Sequence, residues 1–215
     1  MNVYFVSVGK RPFAQYTVES FKHYIPGARV LQFSDRRSPK VIGVDEMIFR
    51  PIPATNEALM LYMIEAFAAI KDPEFITTGD DCILAGPIDD VLEGDYDVAL
   101  VKREKPRIDD TGFNVTGAYP YTNGLVIVKN KQFYDDCLDV LRTMTDLWDW
   151  FGDMACIRDV IDSGNYKVKL LPEDRYCKIP TKLGEIAAGA VLWHYPGKVR
   201  KEWMQYHGKG EGVGA

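Results

Sequence analysis

Short apolar runs alternate along the chain with amphipathic stretches, a pattern that predicts strands alternating with helices. The first run covers residues 3–8 and gives way, after a turn at 9–12, to a helical pattern at 13–24. Pro26 and Gly27 end that helix, and a second apolar run follows at 30–33. Strand, helix and strand in this order predict a right-handed βαβ unit and therefore a parallel sheet.

The remaining elements continue this alternation. Further strands are predicted at 41–42 or 46–49, and then at 75–78, 82–85, 96–101, 121–128 and 168–172. Helices are predicted from a cap at Thr55 or Asn56 to about Ile70, then after Asn130, and over 152–161. Polar residues dominate 102–121, which we interpret as a mobile flap rather than an inert surface loop. The expected fold class is α/β.

Composition narrows the class of protein. The length of 215 residues indicates one domain, over 1–205, and the glycine-rich end at 206–215 indicates a flexible tail. The net charge of −5 and the pI of about 5.3 provide no overall basic surface for nucleic acid. Because the chain has no apolar stretch of transmembrane length and no cleavable signal at its start, we expect a cytoplasmic protein.

Several common kinds of site are disfavoured by residue spacing. The four cysteines form no CxxC pair, and their apolar neighbours indicate buried, reduced thiols rather than disulfides. Together with the three histidines they lack the ligand spacing of a structural zinc site. The absence of GxGxxG and GxxxxGK[ST] argues against a dinucleotide-dependent enzyme and against a P-loop ATPase.

The most informative stretch contains the adjacent acids Asp80 and Asp81, which follow an apolar run and Gly79. Ionised carboxylates are costly to bury unless they are paired or bind a cation. One interpretation is a turn whose acids face water. The other is a metal site at the carboxyl end of a strand, where open α/β sheets bind their ligands. Oxygen ligands there suit Mg²⁺ or Mn²⁺, which hold substrate phosphates.

This segment resembles the metal-binding segment of glycosyltransferases of the GT-A type, most closely family eight, which includes glycogenin and bacterial galactosyltransferases. In that family a strand leads into Asp-x-Asp, then a second apolar strand, a glycine and a short acidic helix. Gly86 and the run at 88–92 are similar to the end of this pattern, which aligns Asp81 with the second aspartate and Gly79 with the first. The resemblance implies a GT-A fold, with a mainly parallel mixed sheet flanked by helices, and Asp80 and Asp81 as metal ligands. Either Asp80 substitutes for the first aspartate of the motif, or the glycine at that position weakens metal binding.

A second resemblance lies at 190–203, where the family carries His-x-x-Gly-x-x-Lys-Pro-Trp. His194 and Gly197 match the histidine and the glycine. The diphosphate-binding lysine corresponds to Arg200 or Lys201, because the register differs by one residue and the proline is absent, and Lys198 is a further candidate. The resemblance implies that His194 is a ligand of Mn²⁺ or Mg²⁺ rather than a base, and that a cation screens the leaving diphosphate.

The resemblance also implies roles for loops at the carboxyl ends of the strands. Residues expected to hold the nucleoside follow the first two predicted strands: Ser7, Val8, Gly9, Arg11, Tyr16 and Asp35. Asn123 is similar to a sugar-contacting asparagine, although it lies one residue closer to its glycine. Asp153 matches the aspartate of the family's Gly-Asp-Gln helix start, with Met154 in place of glutamine. We expect Asn123 and Asp153 to orient the sugar, although an aspartate at a helix N-terminus is also simply stabilising.

The activity that the resemblance implies is metal-dependent transfer of a sugar from a nucleoside diphosphate sugar, UDP-linked, with retention and without an identifiable base. A sugar-nucleotide nucleotidyltransferase is the first alternative, although it needs a glycine-rich loop that the chain lacks after its first strand. A non-catalytic nucleotide- or sugar-binding protein is the second, because Gly79, Met154 and Cys177 depart from the family pattern. The acceptor stays open among saccharide, lipid, protein side chain and modified nucleic-acid base, as does the oligomeric state.

Overall fold

A computed structural model describes residues 1–51, 58–108, 112–144, 151–185 and 187–207 of the chain. Its strands are β1 Asn2–Val6, β2 Arg29–Ser34, β3 Glu46–Phe49, β4 Phe75–Thr78, β5 Cys82–Leu84, β6 Val98–Lys102, β7 Tyr121–Val128, β8 Val168–Pro172 and β9 Leu192–His194. Its helices are α1 Ala14–Tyr24, α2 Ala58–Ala68, α3 Asp89–Leu92, α4 Val115–Ala118, α5 Gln132–Thr143, α6 Gly152–Asp162, α7 Glu173–Tyr176 and α8 Lys198–Trp203, followed by a 3-10 turn at Met204–Tyr206.

The described strands form a large sheet in the order β3-β2-β1-β4-β7-β6-β8. Neighbouring strands are parallel except at β7, which runs antiparallel to both β4 and β6. Phe5 on β1 lies beside Thr78 on β4, and Thr78 lies beside Leu125 on β7. Because β7 is reversed, its beginning lies at the edge where β1 and β4 end. Asn123 therefore reaches the same edge as Asp80 and Asp81.

Helices cover both faces of this sheet, so its central strands are buried on both sides. Val3 and Phe5 pack into the core beneath α1, whereas Tyr4 between them packs into the core formed with α2, α5 and α6. The same alternation holds along β7, where Leu125 and Val126 belong to opposite cores. Continuous apolar strands are expected for a sheet that is covered on both faces. The predicted α/β class and mainly parallel mixed sheet are confirmed.

A second, two-stranded sheet joins β5 to the C-terminal β9 in antiparallel register. Cys82 pairs directly with His194, and the Tyr195 amide donates to the Asp81 carbonyl at 2.9 Å. This small sheet is what brings His194, distant in sequence, beside the acidic pair.

Several element boundaries differ from the sequence predictions. The third strand forms at Glu46–Phe49, because the Val41 amide is held by the Gln32 side chain at 2.8 Å instead of by a strand. The first strand ends at Val6, where the Ser7 carbonyl accepts from the Ser34 hydroxyl at 2.5 Å. The polar stretch at 102–121 contains the unpredicted α4, and α7 is also unpredicted.

Some predictions lie partly or wholly outside the described residues. These include the helix cap at Thr55 or Asn56, the middle of the 102–121 stretch, and the tail from residue 208 onward. Within the described part of that tail, His207 Nδ1 lies 2.6 Å from the Tyr195 hydroxyl. None of the described helices has the length and apolar character needed to cross a membrane. All four cysteines are buried free thiols, as expected.

Candidate functional site

The candidate site lies at the carboxyl edge of the large sheet, where the chain leaves β1 and β4 and enters β7. Asp80 and Asp81 follow β4 after Gly79, and Ser7 follows β1. β9 and α8 supply His194 and Lys201 from the C-terminal end of the chain. Polar side chains from four parts of the chain therefore meet where parallel α/β sheets bind ligands.

Asp80 is held by three groups from different parts of the chain. Its Oδ2 accepts from the Ser7 hydroxyl at 3.1 Å and lies 3.7 Å from Nε of Arg11. Its Oδ1 lies 3.3 Å from Nζ of Lys201. Burial raises the pKa of the Asp80 carboxyl, and the Lys201 ammonium only partly opposes this. Ser7 and Arg11 thus contact the acidic pair, although the sequence predicted them on the nucleoside side.

Asp81 is bound to His194 and to the same lysine. Its Oδ1 lies 3.4 Å from Nε2 of His194, and its Oδ2 lies 3.1 Å from Nζ of Lys201. Burial by itself would raise the pKa of Asp81, but His194 and Lys201 outweigh burial and hold that pKa well below its ordinary value. Burial likewise disfavours imidazolium, yet Asp81 raises the pKa of His194 to about 10. The two side chains therefore form a charged pair at neutral pH.

Two buried cysteines complete the surroundings of the imidazole. The thiol of Cys177 lies 3.6 Å from Nδ1 of His194, and the thiol of Cys82 lies 3.9 Å from Oδ1 of Asp81. Nδ1 thus faces a thiol while Nε2 faces the carboxylate, so Cys177 helps to orient the ring. Sequence reasoning noted Cys177 only as a departure from a family pattern. Its contact with His194 depends on long-range packing that the local sequence does not reveal.

The residues fit a divalent metal ion. Ligand atoms of Asp81, Cys82 and His194 lie within 4.8 Å of one another. The 3.4 Å separation of the Asp81 oxygen and the His194 nitrogen is close to the distance of about 3 Å between adjacent ligands of an octahedral ion. Burial raises the pKa of the Cys82 thiol well above its ordinary value, which disfavours the thiolate that a metal would need. A carboxylate and a neutral imidazole are donors that Mn²⁺ accepts, so binding of the ion requires His194 to release the proton that it shares with Asp81.

Gly79 supports the position of the Asp81 carboxylate. A Cβ atom added at Gly79 would lie 2.6 Å from Oδ1 of Asp81, a contact that requires movement. That oxygen is already fixed by His194, so Gly79 provides the space that the carboxylate occupies. A side chain at this position is incompatible with the observed arrangement. The glycine in place of the first aspartate of Asp-x-Asp is therefore the residue that this packing requires.

We expect Gly79→Asp, which restores the family's motif, to weaken Mn²⁺ binding in the presence of UDP by about tenfold or more, because the new side chain displaces the Asp81 carboxylate. Calorimetric titration of Mn²⁺ measures this. Gly86→Ala is the control, because its added Cβ makes only an ordinary contact with Val191, at 3.6 Å. Equal or tighter binding by Gly79→Asp would contradict the prediction.

A second polar pair, Asn123 and Asp153, lies on the same edge of the sheet. The Asn123 amide donates to Oδ2 of Asp153 at 3.3 Å. Oδ1 of Asn123 and Oδ1 of Asp153 are both buried without a hydrogen-bond partner. Burial raises the pKa of Asp153 to about 6, even though Asn123 opposes the shift. Buried unpartnered acceptors are unusual, and here they offer two sites for hydroxyl donors.

The backbone at Gly124 connects the Asn123–Asp153 pair with the centre formed by Asp81 and His194. A Cβ placed on Gly124 would lie 3.8 Å from Nδ1 of His194 and 3.5 Å from the Cys82 thiol. Asn123 is the preceding residue, so the pair with Asp153 adjoins the acidic centre. The structure thus brings together predicted residues from β4, β7, β9 and α6.

Arg103 is a site neighbour that the sequence analysis missed. It is buried, donates to the carbonyls of Tyr119 and Tyr121, and contacts the Met154 sulfur at 3.1 Å. Burial lowers the pKa of this guanidinium, whereas Asp153 favours its charge. Its position at the start of a polar stretch resembles that of a surface residue. Only its contacts with Tyr119, which follows α4, and with Met154 on α6 identify Arg103 as a neighbour of the site.

The other residues predicted to bind the nucleotide lie in the loops after β1 and β2. Gly9 donates from its amide to the Ser38 hydroxyl at 2.6 Å, and Asp35 accepts from the Ser38 amide at 2.8 Å. Val8 accepts from Arg11 at 3.1 Å, so these residues connect the loops after β1 and β2. Of the residues predicted to hold the nucleoside, Ser7 and Arg11 are the ones described as contacting the acidic pair.

In α8 the structure distinguishes among the predicted cations. Gly197 has a φ of 81°, which suits glycine, and precedes the helix. Lys201 contacts both acids, whereas Nε of Arg200 donates to the Pro180 carbonyl at 3.1 Å. The Lys198 side chain is exposed. Lys201, rather than Arg200, is the cation that faces the acidic pair.

Comparison with solved protein structures identifies the fold of the chain. No protein-family model matches the chain, and no curated protein matches it significantly. The galactosyltransferase LgtC, solved with donor and acceptor sugar analogues, superposes with a TM-score of 0.62 at 10% identity, over 100% of this chain and 98% of LgtC. The chain has the GT-A fold.

A second GT-A structure is similar over part of its length. The bifunctional glycosyltransferase WbbM, solved in its apo form, superposes with a TM-score of 0.61 at 13% identity over 92% of this chain. That alignment covers 46% of WbbM, so the chain spans about half of the WbbM chain. At such identities the similarity establishes the fold, and the closer resemblance to family eight stays a prediction.

Proposed function

We propose that this GT-A protein transfers a sugar from a nucleoside diphosphate sugar, UDP-linked, to an acceptor, with retention of configuration. The observation that carries the proposal is the meeting of Asp81, His194 and Lys201 at the carboxyl edge of the sheet, with contacts of 3.1–3.4 Å. Two ligands for a divalent ion and a cation for a diphosphate are the groups that such a donor needs. The GT-A neighbours, which are glycosyltransferases, support the same reaction class.

The metal-binding residues in this proposal are Asp81 and His194, with Asp80 adjacent. Asp81 and His194 would hold a Mn²⁺ or Mg²⁺, which would supply positive charge to stabilise the departing UDP. The protein supplies additional positive charge from Lys201, with Arg200 and Lys198 as more distant candidates on the same helix. The low exposure of Asp80, Asp81 and Lys201 strengthens their electrostatic contacts relative to water.

Asn123 and Asp153 are proposed to orient the donor sugar. Their unpartnered buried oxygens can accept hydrogen bonds from sugar hydroxyls. In the reaction the bond between the sugar carbon and the diphosphate oxygen breaks, and a bond forms between that carbon and an acceptor oxygen or other nucleophile. The acceptor's proton leaves to the released diphosphate or to solvent, so no protein base is assigned. The loops after β1 and β2, with Gly9 and Asp35, are proposed to hold the nucleoside.

Calorimetric titration of UDP tests the proposal directly. We expect UDP to bind in the presence of Mn²⁺, at least about tenfold more weakly in EDTA, and more tightly than ADP under the same conditions. Absence of UDP binding under every condition would overturn the UDP assignment. Incubation with a set of UDP-sugars then separates an enzyme from a binding protein, because only an enzyme releases UDP slowly by transfer to water or to an added acceptor.

A further inference from the structure

The acidic pair already has a cation of its own, the ammonium of Lys201. We infer that Lys201 competes with a divalent ion for Asp80 and Asp81 and moves to the diphosphate when the nucleotide binds, so that metal and nucleotide bind cooperatively. The part of this inference that concerns nucleotide rests on the proposed function. The part that concerns metal binding alone does not.

The position of the ammonium carries the inference. Nζ of Lys201 lies 3.3 Å from Oδ1 of Asp80 and 3.1 Å from Oδ2 of Asp81, so it bridges the two side chains. The Lys201 side chain is only 24% exposed and both aspartates are 14% exposed, which reduces solvent screening. A lysine is a compact point charge on a flexible stem, so it can exchange one set of oxygens for another with little movement of the backbone.

Charge balance explains why the ammonium lies there. Two adjacent ionised carboxylates with so little exposure repel each other and are costly without a cation. Burial by itself would lower the pKa of Lys201, but the two carboxylates outweigh burial and raise it. The Arg11 guanidinium adds a second, more exposed positive charge beside Asp80 at 3.7 Å. Together with the His194 imidazolium beside Asp81, these cations leave the pair with no excess negative charge to attract Mn²⁺.

A divalent ion bound to Asp81 would lie close to the ammonium and repel it. The displaced ammonium needs another anionic partner, and in the proposed function the diphosphate of the donor would supply one. Lys201 lies on α8, which begins immediately after Gly197, and its ammonium reaches the acidic pair at this edge of the sheet. The nucleotide therefore removes the competitor of the metal. By thermodynamic linkage, each ligand raises the affinity for the other by the same factor.

Metal binding without nucleotide is the first test. Mn²⁺ is titrated by calorimetry into wild-type protein, Lys201→Met and the control Lys182→Met, which removes the same charge at an exposed position. We expect Lys201→Met to bind Mn²⁺ at least about tenfold more tightly than wild type, and the control to bind like wild type. Equal or weaker binding by Lys201→Met, or no Mn²⁺ binding to either protein, would overturn the inference.

Two more variants separate the effect of charge from damage to the fold. Lys201→Gln keeps a hydrogen-bond donor for the carboxylates without the positive charge, and we expect it to show the same gain in Mn²⁺ affinity. Lys201→Arg keeps the charge and should bind Mn²⁺ as weakly as wild type. Thermal melting provides a second measurement, in which Mn²⁺ should raise the melting temperature of Lys201→Gln more than that of wild type. A smaller increase would contradict the competition.

In the nucleotide arm, Mn²⁺ is titrated into each protein without UDP and again at saturating UDP. In wild type, UDP should raise the affinity for Mn²⁺, and Lys201→Gln should reduce this coupling by at least about tenfold. If UDP binds no variant, the UDP assignment of the proposed function fails, and the Mn²⁺ titrations still decide whether Lys201 competes with metal. If UDP binds with unchanged coupling in Lys201→Gln, the inference fails while the proposed function stands.

Discussion

Asp81→Asn is expected to reduce transfer from a UDP-sugar by about a thousandfold or more, with the fold preserved. Asparagine has almost the same shape but lacks the charge that pairs with His194 at 3.4 Å and with Lys201 at 3.1 Å. The substitution removes a charged metal ligand and also leaves both cations without their common partner. Initial-rate assays of UDP release measure the loss, and calorimetry with Mn²⁺ shows whether UDP affinity falls with it.

The matched control for this variant is Asp89→Asn. Asp89 is an exposed acid in the first turn of the neighbouring α3, so its substitution changes the net charge equally. We expect the control to retain activity, since exposed charges outside a site contribute little. Metal-dependent transfer by Asp81→Asn at close to the wild-type rate would remove Asp81 from the site.

Asp153→Asn is expected to make the protein more stable at neutral pH while lowering transfer by about a hundredfold. The pKa of Asp153 is about 6 in the folded protein, above its ordinary value of 3.8, so the folded state binds the extra proton. The free energy of unfolding therefore falls as the pH rises from about 4 through 6, and the deficit persists at higher pH. The difference of about two pKa units corresponds to about 3 kcal/mol.

Urea unfolding at a series of pH values measures this effect. Between wild type and Asp153→Asn the difference in unfolding free energy should be small near pH 4, grow through pH 6 and then level off. Asp139→Asn, at an exposed position on α5, should show no such window. A stability difference that does not change with pH would show that the buried charge of Asp153 is not its cause.

Much of the local structure follows from the sequence because local rules decide it. The predicted strands at 75–78 and 121–128 coincide with β4 and β7, since both are apolar runs bounded by turn residues. The acidic pair was located at the carboxyl end of a strand for the same reason. The boundaries of β1 and β3 could not be predicted as well, because side chains such as Ser34 and Gln32 compete for the backbone groups.

The partners of the site residues depend on longer-range contacts. The sequence leaves Arg200 and Lys201 equivalent, but the direction of each side chain from α8 sends one to Pro180 and the other to the acids. The pairing of Asn123 with Asp153 requires α6 to pack against β7, and Arg103 reaches α6 through its contact with the Met154 sulfur. Residues that are far apart in the chain meet through packing, which no local pattern encodes.

The sequence by itself determined the α/β class, the core strands and the residue types available for metal, diphosphate and sugar, because hydrophobic periodicity and residue chemistry are local properties. Only the tertiary structure decided that β7 is reversed, that β9 pairs with β5, and that Lys201 bridges Asp80 and Asp81. Strand order and burial set these contacts. Burial also determines their strength, because the same charges interact weakly in water and strongly where solvent is excluded.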